Sequence, residues 1–243
     1  DMEQAYQKYT HEDQAMWQML FQRQMAQLPA IASRMYLEGI EKVGFVAEHI
    51  PNFNTETNPR LRQLTGWEVE VVPGLIPQAD FFRLLSNRKF PASTWLRTPA
   101  QLEYLEEPDM FHDTFGHVPL LTHQPFCDFV EDLSRIALRF IDLPEAIVQI
   151  SRLYWYTVEF GLIEEAGQLK IYGGGILSSA GESVYCLSDK IPKLPFDVRT
   201  ILATPFHIDR FQEHYFVINS YEQLYRSTPD IEEFLSESYL VGK

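Results

Sequence analysis

Within thirteen residues, DMFHDTFGHVPLL (109–121), two histidines and two aspartates sit among apolar side chains. Neutral imidazole is a common metal ligand, and a pair of imidazoles beside carboxylates is the natural start of a metal site. His112 and His117 are that pair. Their five-residue separation exceeds the four of an HExxH zinc helix. At about 100° per residue, a straight α-helix would leave them about 140° apart. The backbone must therefore bend, and Gly116 and Pro119 allow either a helix terminus or a π-bulge. Two independently hydrogen-bonded histidines fit this window equally well.

A third ligand is expected in RLYWYTVEFGL (152–162), where Glu159 is surrounded by aromatic and branched residues. Burying a carboxylate there without a partner would cost several kcal/mol, more than its methylenes could return by packing. Two histidines and one carboxylate match the facial triad of non-haem Fe(II) enzymes, which leaves coordination positions open. The same set also suits a hydrolytic zinc, and a helical binding domain with structural histidines is the reading outside catalysis. Asp109 would either orient an imidazole or cap the helix.

Positioning such a site requires a sizeable core, which 243 residues at 45% hydrophobic and 14% aromatic can supply as one domain. Thr10 and Asp13 form a capping box for a helix over 11–28, Pro29 interrupts it, and a second helix over 31–43 ends at Gly44. PNFNTETNPR reads as a loop, 60–64 as a short helix, WEVEVV as a strand and PGLIPQ as a structured loop. Helical patterns continue over 78–86, 99–117, 124–140, 144–165, 179–188 and 229–237. The fold class expected is mainly α with a minor β component, in a single compact domain over 1–243.

The net charge of −14, with no basic run, argues against nucleic acid and anionic membranes as partners. No apolar run is long enough to span a membrane, and the polar start is neither a signal nor a transit peptide, so a cytoplasmic protein is expected. Cys127 and Cys186 read as reduced core thiols.

The segments TGWEVEVVPGLI, STWLRTP, EEPDMFHDTFGHVPLL, YWYTVEFGL, YGGGILSSAGE and EHYFVINSYE resemble, in order and in one register, the catalytic domain of the pterin-dependent aromatic amino acid hydroxylases. The likeness runs from about Thr10 to Tyr225 and is greatest to bacterial members acting on phenylalanine. It implies Fe(II) held by His112, His117 and Glu159. It implies that Arg97 and Ser178 hold the substrate carboxylate, and that Trp155 and Phe160 wall its ring. It points to Gly74, Leu75, Ile76, Phe81, Asp113 and Tyr154 for tetrahydropterin.

The implied reaction is hydroxylation of L-phenylalanine to L-tyrosine with O2 and tetrahydropterin as partners; tryptophan 5-hydroxylation and phenylalanine 3-hydroxylation are the alternatives. Asp113 stands where animal relatives have glutamate, and Leu105 replaces a threonine. Ile208 occupies a position where tyrosine hydroxylases carry aspartate, which favours phenylalanine. The family's regulatory domain and tetramerisation tail have no counterpart in 1–243, so a monomer or dimer is expected.

Overall fold

The computed structural model describes residues 2–102, 105 and 107–240. Helix α1 (His11–Met25) begins with the expected reciprocal cap: Thr10 Oγ1 accepts from the Asp13 backbone N–H, and Asp13 accepts from the Thr10 N–H. It stops earlier than expected, and Pro29 lies in the first turn of a separate short helix, α2 (Leu28–Ile31). Helix α3 (Arg34–Val43) ends on Gly44 in the left-handed region, φ 70°, as glycine permits.

The stretch read as a loop is more ordered than expected. It holds a π-helical turn, Phe53–Thr57, running into α4 (Asn58–Leu64). The WEVEVV strand is β1 (Glu68–Val71), paired in parallel with β2 (Lys89–Ala92) across α5 (Gln78–Ser86).

Two expected helices are cut short. Over 99–117 the described residues show a 3-10 turn, Pro99–Gln101, and an irregular stretch over 107–109 before helix begins at Met110; the part of the expected helix over 103, 104 and 106 lies outside the described residues. Pro108 explains the break, because it disfavours helix at the residue before it and brings no N–H donor. The helix expected over 144–165 is α7 (Pro144–Tyr154), followed by a π-helical turn at Trp155–Glu159. Gly161 then leads into β3 (Leu162–Glu165) and an antiparallel hairpin with β4 (Gln168–Ile171). Ala166 and Gly167, both at positive φ, make its two-residue turn.

Helix α6 (Gln124–Arg139) follows a π-helical turn at His112–His117 and a 3-10 turn at Val118–Thr122. After β4 come α8 (Gly174–Leu177) and α9 (Ala180–Tyr185), then β5 (Lys193–Pro195), α10 (Val198–Ala203), β6 (Tyr215–Ile218), α11 (Tyr221–Arg226) and α12 (Thr228–Tyr239). The second sheet has the order β4-β3-β6-β5. The protein is thus mainly helical with a minor sheet, around one connected core. Both cysteines are free and buried. Among the described residues, no helix is long and apolar enough to cross a membrane.

Candidate metal centre

The turn His112–His117 is π-helical, and its wider i→i+5 hydrogen bonding brings to one side two side chains that an α-helix would splay. Its other face locks it into the core. Phe111 and Phe115 stack at 4.6 Å between ring centroids, Trp17 meets Phe111 edge-on at 5.5 Å, and Phe21 meets Phe115 at 5.3 Å. The Tyr36 hydroxyl donates to the Phe115 carbonyl at 2.7 Å. Widening the helix costs regular hydrogen bonds, and these buried rings and that hydroxyl offset the loss.

Glu159 arrives from the π-turn at Trp155–Glu159, where the Phe160 N–H donates to the Trp155 carbonyl at 2.8 Å. His117 Nε2 lies 3.2 Å from His112 Nε2 and 3.2 Å from Glu159 Oε1; His112 Nε2 lies 3.6 Å from Glu159 Oε2. The three ligand atoms fall within 4.8 Å of one another.

Burial lowers the His112 pKa to about 4, so its ring is neutral. Burial would also lower His117 and raise Glu159, but their mutual attraction outweighs it: His117 is raised and Glu159 lowered. The neutral His112 tautomer is fixed by Ser178. That hydroxyl donates to the Gly174 carbonyl at 2.8 Å and so accepts from His112 Nδ1, 3.0 Å away. The Nε2 lone pair then faces His117 and Glu159. Two imidazoles and a carboxylate, with no thiolate, fit a divalent cation that keeps other positions open.

The three glycines 173–175 pass unusually close to this centre, a feature that motif spacing alone did not single out. A Cβ on Gly173 would fall 2.4 Å from the Glu159 carbonyl oxygen, on Gly174 2.4 Å from His117 Cε1, and on Gly175 2.9 Å from Phe160 Cζ. The available signal was three consecutive glycines in a chain that has only 12.

Asp109 caps rather than orients. Its Oδ1 accepts from the His112 backbone N–H at 3.0 Å, while its carboxylate takes two parallel bonds of 2.8 Å from Arg97 Nε and Nη2. Burial pushes the Asp109 carboxyl up, but Arg97 more than reverses this and holds it below the usual aspartate value. The Arg97 edge formed by Nε and Nη2 is therefore occupied by protein.

Trp155 and Phe160 lie 4.7 Å apart between centroids, forming one wall next to Glu159. Phe81, in α5, meets Tyr154 edge-on at 5.2 Å. Gly74, Leu75 and Ile76 lie in the loop between β1 and α5, where Gly74 takes φ 147° and Leu75 is 71% exposed. Asp113 accepts from the Ser93 backbone N–H at 2.8 Å, and burial raises its pKa to about 7. Ile208 is 78% exposed.

The family of biopterin-dependent aromatic amino acid hydroxylases matches residues 3–241. A phenylalanine-4-hydroxylase of Ralstonia nicotianae is 48% identical over 94% of this chain and 73% of its own length. One from Chromobacterium violaceum is 48% identical over 92% and 75%. The crystal structure of the Chromobacterium violaceum enzyme with bound Fe(III) superposes with a TM-score of 0.92 at 45% identity, covering 98% of this chain and 87% of that one. The structure of that enzyme with iron(III) and 7,8-dihydrobiopterin gives 0.91 at the same identity, covering 98% and 86%. The chain belongs to the biopterin-dependent aromatic amino acid hydroxylases.

Proposed function

We propose that this protein hydroxylates L-phenylalanine to L-tyrosine, using O2, tetrahydropterin and iron. The observation that carries the reading is the convergence of His112, His117 and Glu159 on one point beside an aromatic wall and a buried arginine. Family membership and the phenylalanine-4-hydroxylases similar to it over most of their length support the same reaction and weigh against a zinc hydrolase.

His112, His117 and Glu159 would hold the iron, which when bound supplies the redox chemistry of oxygen transfer. The chain's share is physical. Ser178 keeps the lone pair of His112 directed inward, and the surrounding apolar side chains exclude water from the reacting groups. Of the five N–H groups of Arg97, two serve Asp109; the others have no side-chain hydrogen-bond partner among the described residues and can meet the substrate carboxylate. In that position the amino acid ring lies against Trp155 and Phe160, so its target carbon is fixed at the carboxylate end and at the ring face. Ser178, whose one proton is committed to Gly174, suits the orienting role better than a bond to the carboxylate. Phe81, Tyr154, Asp113 and the loop of Gly74, Leu75 and Ile76 form the surface proposed for the pterin.

The test is reconstitution with Fe(II) or Zn(II), followed by tetrahydropterin oxidation and tyrosine formation from phenylalanine. Tyrosine with iron alone is expected, and activity without pterin or reductant would overturn the reading. His112→Ala, His117→Ala and Glu159→Ala should each abolish iron retention while the helical circular dichroism persists.

A further inference from the structure

The irregular segment over 204–214, between α10 and β6, is held against Trp155 and Tyr156 largely by side chains. Phe206 stacks on Trp155 at 4.3 Å between centroids, and the Tyr156 hydroxyl donates to the Pro205 carbonyl at 2.6 Å. At its far end lies Gln212, only 2% exposed. Its Oε1 accepts from the Trp155 indole Nε1–H at 3.0 Å, and its Nε2 donates to the His207 carbonyl at 2.9 Å. Its backbone N–H donates to Glu182 Oε1 at 3.2 Å.

These partners leave the amide one orientation. A flip would set NH2 against the indole N–H and oxygen against a carbonyl, losing both bonds in a buried place. The indole is thereby held by Phe206 stacked on it, by Phe160 tilted at 32° against it, and by Gln212 at its polar edge. Against one stacked and one tilted ring alone, an indole can still slide in its plane; the hydrogen bond sets where it stops.

We propose that Gln212 is a positioning residue for the substrate-ring wall: it fixes the in-plane position of the Trp155 indole, and so the width of the pocket that accepts the amino acid's aromatic ring. The proposal rests on the phenylalanine hydroxylase reading for its kinetic consequence, but not for its structural one.

The test uses the iron-loaded full chain and three variants: Gln212→Met, which keeps the volume and removes the strong acceptor, Gln212→Glu, which keeps an acceptor, and Trp155→Phe. Ultraviolet resonance Raman reads the indole N–H hydrogen bond, and subtraction of the Trp155→Phe spectrum isolates that residue from the other three tryptophans. A shift of the Trp155 band to a weaker hydrogen bond in Gln212→Met, largely restored in Gln212→Glu, is expected. With phenylalanine, Gln212→Met should raise KM about three- to tenfold and leave kcat within about twofold, and this rise should disappear in the Trp155→Phe background.

An unchanged Trp155 band, or an equal rise in KM in both backgrounds, would overturn the proposal. If the wild-type protein made no tyrosine, the functional reading would fall, and the Raman result would still decide whether Gln212 holds the indole.

Discussion

Ser178 Oγ stands 3.0 Å from His112 Nδ1 while its own proton is given to the Gly174 carbonyl. One hydroxyl thus connects the glycine-rich segment after β4 to the tautomer of a candidate metal ligand on a distant turn. Removing such an outer partner commonly lowers metal affinity about 10- to 100-fold. Ser178→Ala is expected to do so with unchanged thermal stability of the metal-free protein, measured by chelator competition. Wild-type affinity in that variant would show that packing alone orients His112.

Gly174→Ala should be harsher. Its new Cβ would lie 2.4 to 2.8 Å from Cε1, Nδ1 and Nε2 of His117, and a buried ring cannot yield that much without leaving its position. The expected cost is about 1 to 3 kcal/mol of stability, together with loss of iron. Urea denaturation and metal content measure the two effects, and a fully iron-loaded Gly174→Ala protein would contradict the argument.

How far the sequence reveals this centre follows from what kind of force sets each part. Glu159 was legible because an unpaired carboxylate in apolar surroundings demands a partner, and His112 and His117 because two imidazoles beside carboxylates suit a metal, although their window alone fitted independently bonded histidines equally well. The five-residue spacing even pointed to the widened turn that the structure has at His112–His117. The second such turn, at Trp155–Glu159, was hidden, since its residues continue the helical pattern of α7. The hairpin after it was missed for the same reason, although Gly161 and the Ala166–Gly167 pair signal chain reversal. The pairing of Arg97 with Asp109, and of Gln212 with Trp155, joins residues 12 and 57 positions apart. Such contacts depend on tertiary placement and leave no periodicity to read.

The Arg97 pairing changes what a mutation there should do. Arg97 is 7% exposed and Asp109 fully buried, so Arg97→Ala leaves an uncompensated charge in the interior, a loss of about 3 to 5 kcal/mol. Reduced turnover in that variant would therefore mix unfolding with lost substrate binding. The double variant Arg97→Ala with Asp109→Ala should recover part of the stability and none of the phenylalanine kcat/KM. Recovery of kcat/KM along with the denaturation midpoint would remove Arg97 from substrate binding.

Glu182 gives a dependence on pH. Burial raises its pKa above the ordinary glutamate value, although the Tyr215 hydroxyl and the Gln212 N–H partly offset this by donating to its Oε1. A carboxyl whose folded pKa is raised binds more protons folded than unfolded. Its contribution to stability is therefore present below the unfolded pKa and is lost as pH rises through the folded one. Glu182→Gln abolishes that loss while keeping an oxygen acceptor. Relative to wild type, its Tm should be higher at pH 8 than it is at pH 5; a constant difference across that range would show that Glu182 does not titrate in the folded protein.

Substrate choice should depend more on Trp155 than on Ile208. Trp155 packs against both Phe160 and Phe206 and belongs to the wall beside Glu159, whereas Ile208 is 78% exposed. A side chain mostly in water loses little by becoming charged and contributes little to a pocket's shape. Trp155→Phe, in contrast, empties the volume of a fused ring next to the reacting centre and gives a substrate indole room that phenylalanine does not need. Differences of shape in apolar pockets are worth about 1 to 3 kcal/mol, or about 5- to 150-fold in kcat/KM. In competition between equal phenylalanine and tryptophan, Trp155→Phe should therefore move the ratio of tyrosine to 5-hydroxytryptophan toward the indole product by a factor in that range. Ile208→Asp should change the ratio of phenylalanine to tyrosine turnover by less than about threefold. A larger effect from Ile208→Asp than from Trp155→Phe would mean that the segment over 204–214 folds inward over the substrate and that its side chains, not the indole, define the pocket.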